Sequence, residues 1–141
     1  MLHIEAVGMG QLDIIKRLNR DIFDEERIIN TFEREDLLML LAYLGDDPVG
    51  FKIGYRENLH TFYSAKGGVL AAYRRRRISR RLLYAMVDRI RPLGYKVLAY
   101  DTFPNMHPGM TVMGLFEGFR ITRADYNPSY QDFRLRFEKK L

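Results

Sequence analysis

The sequence contains no cysteine, and this absence excludes disulfides, thiolate metal sites and a cysteine nucleophile. Histidine is scarce as well: His3, His60 and His107 lack the spacing of metal ligands, so no metal ion is expected. The longest uninterrupted apolar run covers eight residues, 37–44, which is too short to span a bilayer. The N-terminal residues MLHIEAVG have no apolar signal core. We therefore expect a cytoplasmic protein with no membrane partner.

Charge is distributed unevenly along the chain. The 141 residues are 47% hydrophobic, enough for one domain with a proper core over residues 1–141. Residues 1–70 carry 8 basic and 12 acidic side chains, whereas residues 71–141 carry 15 and 6. Six arginines fall between positions 74 and 81, and without them the chain would have 17 basic and 18 acidic residues. The positive net charge therefore comes from one short stretch.

That stretch, residues 74–81, is called the arginine turn below. The aliphatic residues Val69–Ala72 precede it, and an apolar helical pattern follows it, so the order is strand, basic turn, helix. Free backbone N–H groups and the helix dipole make such a junction an anion site, and guanidinium groups suit phosphate in particular. A nucleic-acid binder is expected to spread its basic residues over a face. The concentration at one turn instead predicts a pocket for one compact polyanion.

Hydrophobic periodicity predicts an α/β (α+β) protein with a mixed, mostly antiparallel sheet of about seven strands, flanked on both faces by about four helices. Paired glycines at Gly67-Gly68 predict a bulge. The predicted elements are strand Leu2–Val7, helix Gln11–Phe23, short helix Glu25–Phe32, strands Leu37–Leu44 and Val49–Tyr55 joined by a turn at Gly45–Pro48, long strand Thr61–Ala72, a helix from Ile78 to its stop at Pro92 and Gly94, strand Tyr95–Asp101, helix Pro108–Phe116, strand Phe119–Arg123 and a last strand around Phe133–Phe137.

Three pieces of the chain resemble the GNAT superfamily of N-acetyltransferases. The first is the hairpin turn Gly45–Gly50, which is similar to the turn between that family's second and third strands. The second is Val69–Ser79, which resembles the coenzyme A loop, an aliphatic strand running into Arg/Gln-x-x-Gly-x-Gly/Ala. The third is Asn105 and Met110 followed by Gly118-Phe119, similar to the family's Asn-led short helix ending in Gly-Phe.

The resemblance implies an enzyme that transfers the acetyl group of acetyl-CoA to a primary amine by direct attack in a ternary complex. It implies that acetyl-CoA is the cosubstrate, with its pyrophosphate on the backbone amides of Arg75–Arg80 and its pantetheine along Val69–Ala71. The residues implied in cofactor binding are Val69, Leu70, Ala71, Arg74, Arg75, Arg76, Arg77, Ile78, Ser79, Arg80 and Asn105.

The chain also departs from the family pattern. Arg77 and Ser79 stand where the loop glycines are expected, and Ala71 stands where a proline is usual. Arginine can replace the first glycine if that position has an ordinary helical φ, which we expect for a first helical turn. On the short helix, Gly114 occupies the position of the tyrosine that in many members protonates the departing thiolate.

The catalytic groups remain a set of candidates. A protonated amine must lose a proton before it attacks, and the candidates for the base are Glu57, His60, Tyr63 and Asp101. Without an acid at position 114, the thiolate leaves unassisted or takes a proton from a group such as Tyr100 or His107. In the unassisted case, Gly114→Tyr would leave the rate unchanged or raise it, provided that the ring fits.

Two other functions stay open at this point. One is a non-catalytic protein of the same fold that binds coenzyme A or another polyanion, and the other is a small nucleic-acid-binding domain resting on the arginines alone. The acceptor, a small molecule or a peptide, is also open. The clustered acids Asp21, Asp24, Glu25 and Glu26 favour a cationic amine, or they are simply solvated helix-end residues. A homodimer is neither required nor excluded.

Overall fold

The computed structural model describes the whole chain from Met1 to Leu141. One seven-stranded sheet has the order β1-β2-β3-β4-β5-β7-β6, and every neighbouring pair is antiparallel except β4 and β5. The elements are β1 Leu2–Val7, α1 Leu12–Phe23, β2 Leu38–Leu44, β3 Asp47–Arg56, β4 Thr61–Val69, α2 Ile78–Ile90, β5 Val97–Thr102, α3 Pro108–Phe116, β6 Arg120–Asn127 and β7 Asp132–Lys140, with 3₁₀ turns at Met9–Gln11, Ala71–Tyr73 and Arg91–Leu93. The predicted mixed, mostly antiparallel sheet is confirmed, with three α-helices instead of about four.

Helices cover both faces of the sheet, as the sequence predicts. Because β2 is apolar at nearly every position, its side chains supply two cores alternately. Met39 and Leu41 pack in the cluster that contains Ile15 and Leu18 of α1. Leu40 and Ala42 pack in the larger cluster, which holds all six apolar residues predicted for the buried face of α2, namely Ile78, Leu82, Leu83, Met86, Val87 and Ile90. No helix is long and apolar enough to cross a membrane.

The short helix predicted at Glu25–Phe32 is wrong, because this segment is irregular. Helix α1 ends at Phe23, and its C-cap residue Asp24 has a left-handed φ of 55°. The backbone beyond it is held by a side chain instead of by helical hydrogen bonds. The amide nitrogen of the fully buried Asn19 donates to the carbonyl oxygens of Glu25, at 2.8 Å, and of Arg27, at 3.3 Å.

The irregularity of β4 lies closer to its centre than predicted. Ile53 of β3 pairs with Lys66 and the next residue pairs with Ser64, so Ala65 is the extra residue of the bulge. Gly67 and Gly68 pair regularly, so the prediction of a bulge there is wrong. Gly68 serves close packing instead, because a Cβ there would lie 2.9 Å from a methyl carbon of Ile22 on α1.

Strands β4 and β5 separate after a short parallel contact. They pair only from Thr61 opposite Val97 to Tyr63 opposite Ala99. Beyond these three pairs, β4 has no hydrogen-bonded partner on the β5 side, and the sheet opens into a wedge. This opening positions the candidate site, because it exposes strand edges inside the fold. Strand β4 ends at Val69 and not at the predicted Ala72. The chain then enters the 3₁₀ turn Ala71–Tyr73.

Candidate active site

A cavity of about 370 Å³, called the cleft below, fills the wedge between β4 and β5. Ser64–Gly68 line one wall, and Tyr100–Phe103, at the end of β5, line the other. Ser79 of α2 and Met110 of α3 also contact the cleft. The cleft therefore runs from the arginine turn toward the centre of the splayed sheet, and its volume is in the range of small-molecule sites.

The backbone of the arginine turn presents a row of free donors. None of the six N–H groups of Arg75–Arg80 donates a hydrogen bond within the protein. Arg75 and Arg77 have left-handed φ values of 66° and 60°, whereas Arg76 between them does not. This alternation forms the backbone concavity known to bind anions, and helix α2 adds the positive end of its dipole. The expectation of an ordinary helical φ at Arg77 is wrong, because the position keeps the conformation in which glycine is favoured.

The arginine side chains differ in availability. Arg75, Arg76, Arg77 and Arg81 are exposed and have no carboxylate partner. Arg80 is already engaged, since its Nε lies 2.6 Å from Glu117 Oε1, whose side chain is only 8% exposed. The free guanidinium groups can therefore add charge to an anion on the backbone amides, while Arg80 ties α2 to the end of α3.

The residues predicted to accompany the pantetheine, Val69–Ala71, lie beside the cleft and do not line it. Val69 ends β4, and its carbonyl oxygen accepts a hydrogen bond from Arg74 Nε at 3.3 Å. Of the predicted cofactor-binding residues, only Ser79 lines the cleft. The unpaired edge of β4 at Ser64–Gly68 is the stretch that faces the cleft, and the sequence did not indicate it because strand separation is a property of the sheet.

Asp101 and Tyr63, both candidate bases, are brought together across the two splaying strands. The Tyr63 hydroxyl donates to Asp101 Oδ2 at 2.5 Å, and Arg134 Nη2 donates to the same oxygen at 3.2 Å. Asp101 Oδ1 accepts no hydrogen bond from the protein. Burial, together with the bond to Asp101, raises the pKa of Tyr63 above its ordinary value, so the phenol stays protonated and acts as a donor.

The predicted site residues Glu57, His60 and Asn105 do not line the cleft. Glu57 is held by Arg136, with oxygen–nitrogen distances of 2.5 and 2.9 Å. His60 is exposed in the turn before β4 and lines neither the cleft nor the second cavity described below. Asn105 donates from Nδ2 to Asp132 Oδ1 at 2.7 Å and thereby fixes the loop between β5 and α3.

Tyr100 anchors helix α3 through a hydrogen bond. The residue is 6% exposed, and its hydroxyl donates to the Met110 carbonyl oxygen at 2.8 Å. Burial raises the pKa of Tyr100, which disfavours loss of its proton. Gly114 forms the notch that receives this hydroxyl, since a Cβ there would lie 1.9 Å from Tyr100 Oη and 2.9 Å from Phe137 Cδ2. A tyrosine ring therefore does not fit at position 114. The Gly114→Tyr expectation required that it fit, so that expectation does not apply.

We expect Gly114→Ala to lower the free energy of unfolding by about 1–3 kcal/mol, because the added methyl overpacks the notch. In a Tyr100→Phe background, the nearest clashing atom is gone and the cost should be smaller. Urea unfolding of both single variants and the double variant measures this coupling. Gly109→Ala on the same helix is the matched control, since a Cβ at Gly109 meets nothing within 4 Å. Equal costs in both backgrounds would contradict the assigned contact.

Lys52 is a residue of the cleft that sequence reasoning missed. It lies on β3, is 8% exposed, lines the cleft, and has neither a hydrogen-bond partner nor a carboxylate partner in the protein. Burial lowers the pKa of Lys52 to about 8. A lone charge within the apolar run Val49–Tyr55 was the available signal, since a lysine in a two-sided buried strand must lose much of its hydration.

The lowered pKa of Lys52 predicts a pH-dependent cost to stability. Between pH 8 and the ordinary pKa of 10.5, the unfolded chain binds a proton at Lys52 that the folded chain does not, so stability rises with pH through this window. Below pH 8, the amine is charged in both states and the full cost, about 3 kcal/mol, is present. We expect Lys52→Met to be more stable than wild type at neutral pH, by a margin that shrinks above pH 8. Chemical unfolding across this range measures it, and a margin independent of pH would contradict the assignment.

A second cavity, of about 430 Å³, lies on the other side of Asp101. Glu57 and Tyr63 line it, and Asp101 lines both it and the cleft, as do Arg27, Ile28 and Ala65. Five arginines also line the second cavity: Arg27, Arg34, Arg123, Arg134 and Arg136. They come from distant parts of the chain, which is why no local pattern in the sequence indicated them.

Solved structures share this fold over nearly the whole chain. The IAA acetyltransferase from Bacillus cereus superposes with a TM-score of 0.85 and 21% identity, covering 100% of both chains. The ribosomal-protein-S18-alanine N-acetyltransferase from Escherichia coli has a TM-score of 0.84 and 14% identity, covering 99% of this chain and 94% of the other. Arabidopsis thaliana Naa50, solved with the bisubstrate analogue CoA-Ac-MVNAL, has a TM-score of 0.80 and 22% identity, covering 99% of each. At these identities the likeness concerns the fold.

The sequence itself carries the family assignment. No curated protein sequence matches the chain. A family model, described as the acetyltransferase (GNAT) domain, matches residues 14–105. This match covers more than half of the chain and includes the bulged β4, the arginine turn and Asp101. The chain therefore belongs to the GNAT acetyltransferase family.

Proposed function

We propose that this protein transfers the acetyl group of acetyl-CoA to a primary amine by direct attack while both substrates are bound. The observation that carries the proposal is the position of Asp101, which is the only carboxylate residue that lines both the cleft and the second cavity. One space can hold the thioester and the other the amine, with a proton acceptor between them. The Naa50 structure, with an analogue that joins both substrates, supports a site of this kind in the shared fold.

The residues of the arginine turn fit the phosphates of the cosubstrate. The six free N–H groups of Arg75–Arg80 would bind the pyrophosphate, and the exposed Arg75, Arg76 and Arg77 would add charge that a 3′-phosphate requires. The edge of β4 at Ser64–Gly68 would hold the pantetheine by strand-like hydrogen bonds in the cleft. Acetyl-CoA supplies the activated acetyl group as a thioester.

Asp101 would remove the proton that blocks the acceptor. Tyr63 and Arg134 both donate to Oδ2, which orients the carboxylate and leaves Oδ1 free for the ammonium group. Once Asp101 has taken one proton from the ammonium group, the neutral amine nitrogen bonds to the acetyl carbon, the carbon–sulfur bond breaks, and the second nitrogen proton passes to water. The thiolate, of ordinary pKa about 8.5, can leave without an acid. This matches a site in which Gly114 offers no side chain and the Tyr100 hydroxyl is bonded to Met110.

The test is release of free thiol from acetyl-CoA across a panel of amines, amino acids, polyamines, aminoglycosides and peptides. We expect acceptor-dependent thiol release and an acetylated acceptor by mass spectrometry. A reaction without acceptor measures background hydrolysis. Tight acetyl-CoA binding with no turnover of any acceptor would contradict the enzymatic proposal and favour a non-catalytic coenzyme A binder.

A further inference from the structure

The second cavity carries an excess of positive charge. Its five arginines face only two carboxylates, those of Glu57 and Asp101. Glu57 is paired with Arg136, and Asp101 with Arg134. Arg123 is paired with Asp125, which does not line the cavity, so Arg27 and Arg34 are the two arginines of the cavity without a carboxylate partner. A concave site of one sign attracts ligands of the opposite sign.

Of these two arginines, Arg34 has the guanidinium group with the fewest polar contacts. Its guanidinium carbon lies 3.9 Å above the centroid of the Tyr55 ring, and its Nε is buried without any hydrogen-bond partner. Arg27 has no carboxylate partner either, and donates only to the neutral side-chain oxygen of Asn30. A buried donor on a charged group without a partner is costly, and an anionic ligand would relieve that cost.

The acids of the N-terminal half do not balance these arginines. Glu25 is bonded to Lys66, and Glu26 lies 3.4 Å from Arg20 Nη1. Asp21 and Asp24 line neither the cleft nor the second cavity. None of these four clustered acids lines the second cavity, so the local charge of the cavity is the better guide to its ligand.

We propose that the acceptor is a primary amine that also carries a carboxylate or phosphate group, with the anion on Arg34 and Arg27 and the amine at Asp101. This inference rests on the proposed function, because it identifies the second cavity as the acceptor space. The volume of about 430 Å³ suits a compact ligand. Tyr55, packed against Arg34, keeps the guanidinium plane in place for bidentate contact with an anion.

Matched acceptor pairs test the inference. Binding of 4-aminobutyrate and butylamine, and of O-phosphoethanolamine and ethanolamine, is measured by calorimetry with the protein saturated with coenzyme A, and turnover is measured with acetyl-CoA. We expect the anionic member of at least one pair to bind about tenfold more tightly or better, the strength of a charge-assisted hydrogen bond. If only one pair shows this difference in affinity, that pair indicates whether the cavity binds a carboxylate or a phosphate group. Spermidine represents the cationic acceptor that the acidic N-terminal half favours.

Variants locate the anion site. Arg34→Gln should weaken binding of the anion-bearing probe about tenfold or more while leaving binding of its partner without the anion little changed. Arg17→Gln is the matched control, since Arg17 is exposed on α1 and lines neither cavity. Binding of the anionic probe without turnover would support the site and contradict the proposed activity. Preference for spermidine or for the amines that lack an anionic group, or loss of affinity in Arg17→Gln equal to that in Arg34→Gln, would overturn the inference.

Discussion

Ser79→Glu should abolish measurable binding of acetyl-CoA. Ser79 is the second residue of α2, is exposed, lines the cleft, and belongs to the row of six free backbone N–H groups. A glutamate there places a carboxylate beside the expected pyrophosphate. Two like charges about 4 Å apart repel by roughly 4 kcal/mol near a protein surface, which corresponds to about a thousandfold loss of affinity.

The same substitution should leave the fold intact. A carboxylate in the first turn of a helix interacts favourably with the dipole, so the free energy of unfolding should hold or rise slightly. Ser79→Gln, which has nearly the same shape without the charge, is the matched control and should retain most of the affinity. Calorimetry at two salt concentrations measures the affinity for acetyl-CoA, and thermal unfolding measures stability. Together they separate charge repulsion at the site from a loss of folding. Equal affinities for wild type and Ser79→Glu would place the phosphate site elsewhere.

Asp101→Asn should lower kcat by about 10²–10⁴-fold, the range for loss of a general base. The amide keeps the size of the side chain and can still accept from Tyr63, but it cannot take a proton from the acceptor. Because the Asp101 side chain bonds to Tyr63 and Arg134 and to no residue of the arginine turn, the affinity for acetyl-CoA should stay near that of wild type. A fall in kcat with unchanged cofactor affinity is the result expected for a catalytic residue.

Glu57→Gln is the comparison that distinguishes the candidate bases. Glu57 lines only the second cavity and is bonded to Arg136, so its loss should reduce kcat far less than loss of Asp101. Both variants are assayed for thiol release with saturating acetyl-CoA. A larger loss in Glu57→Gln than in Asp101→Asn would move the base to Glu57 and contradict the assignment.

Local patterns predicted most of the fold. The apolar spacing from Ile78 to Ile90 is a complete helical face, and Gly94 has the positive φ of 95° that a helix stop requires. The segment Glu25–Phe32 has a similar helical pattern but a different structure, because the buried Asn19 amide competes for its carbonyl groups. That competition depends on tertiary contacts, which periodicity does not contain.

The candidate site was predictable only where its residues are contiguous. The arginine turn is one stretch of sequence, and its order of strand, turn and helix indicated an anion site whose free amides the structure shows. The only signal for the left-handed φ of Arg77 was the resemblance, in which a glycine stands at this position, since the arginine itself gives no sign of it. The second cavity brings Arg27 and Arg34 beside Arg134 through the splaying of β4 and β5. Arginines that are far apart in the sequence meet here because of the geometry of the sheet, and the spacing of residues along the chain does not indicate it.

The most direct test is to follow the backbone amides of the arginine turn themselves. In ¹H–¹⁵N spectra of the labelled protein titrated with acetyl-CoA, the largest shifts should fall on Arg75–Arg80, whose N–H groups have no partner in the protein. Dephospho-CoA should leave the pyrophosphate-dependent shifts in place and reduce those caused by the 3′-phosphate. Saturable binding that leaves these six amides unshifted would contradict the account, because the cosubstrate would then be held somewhere else.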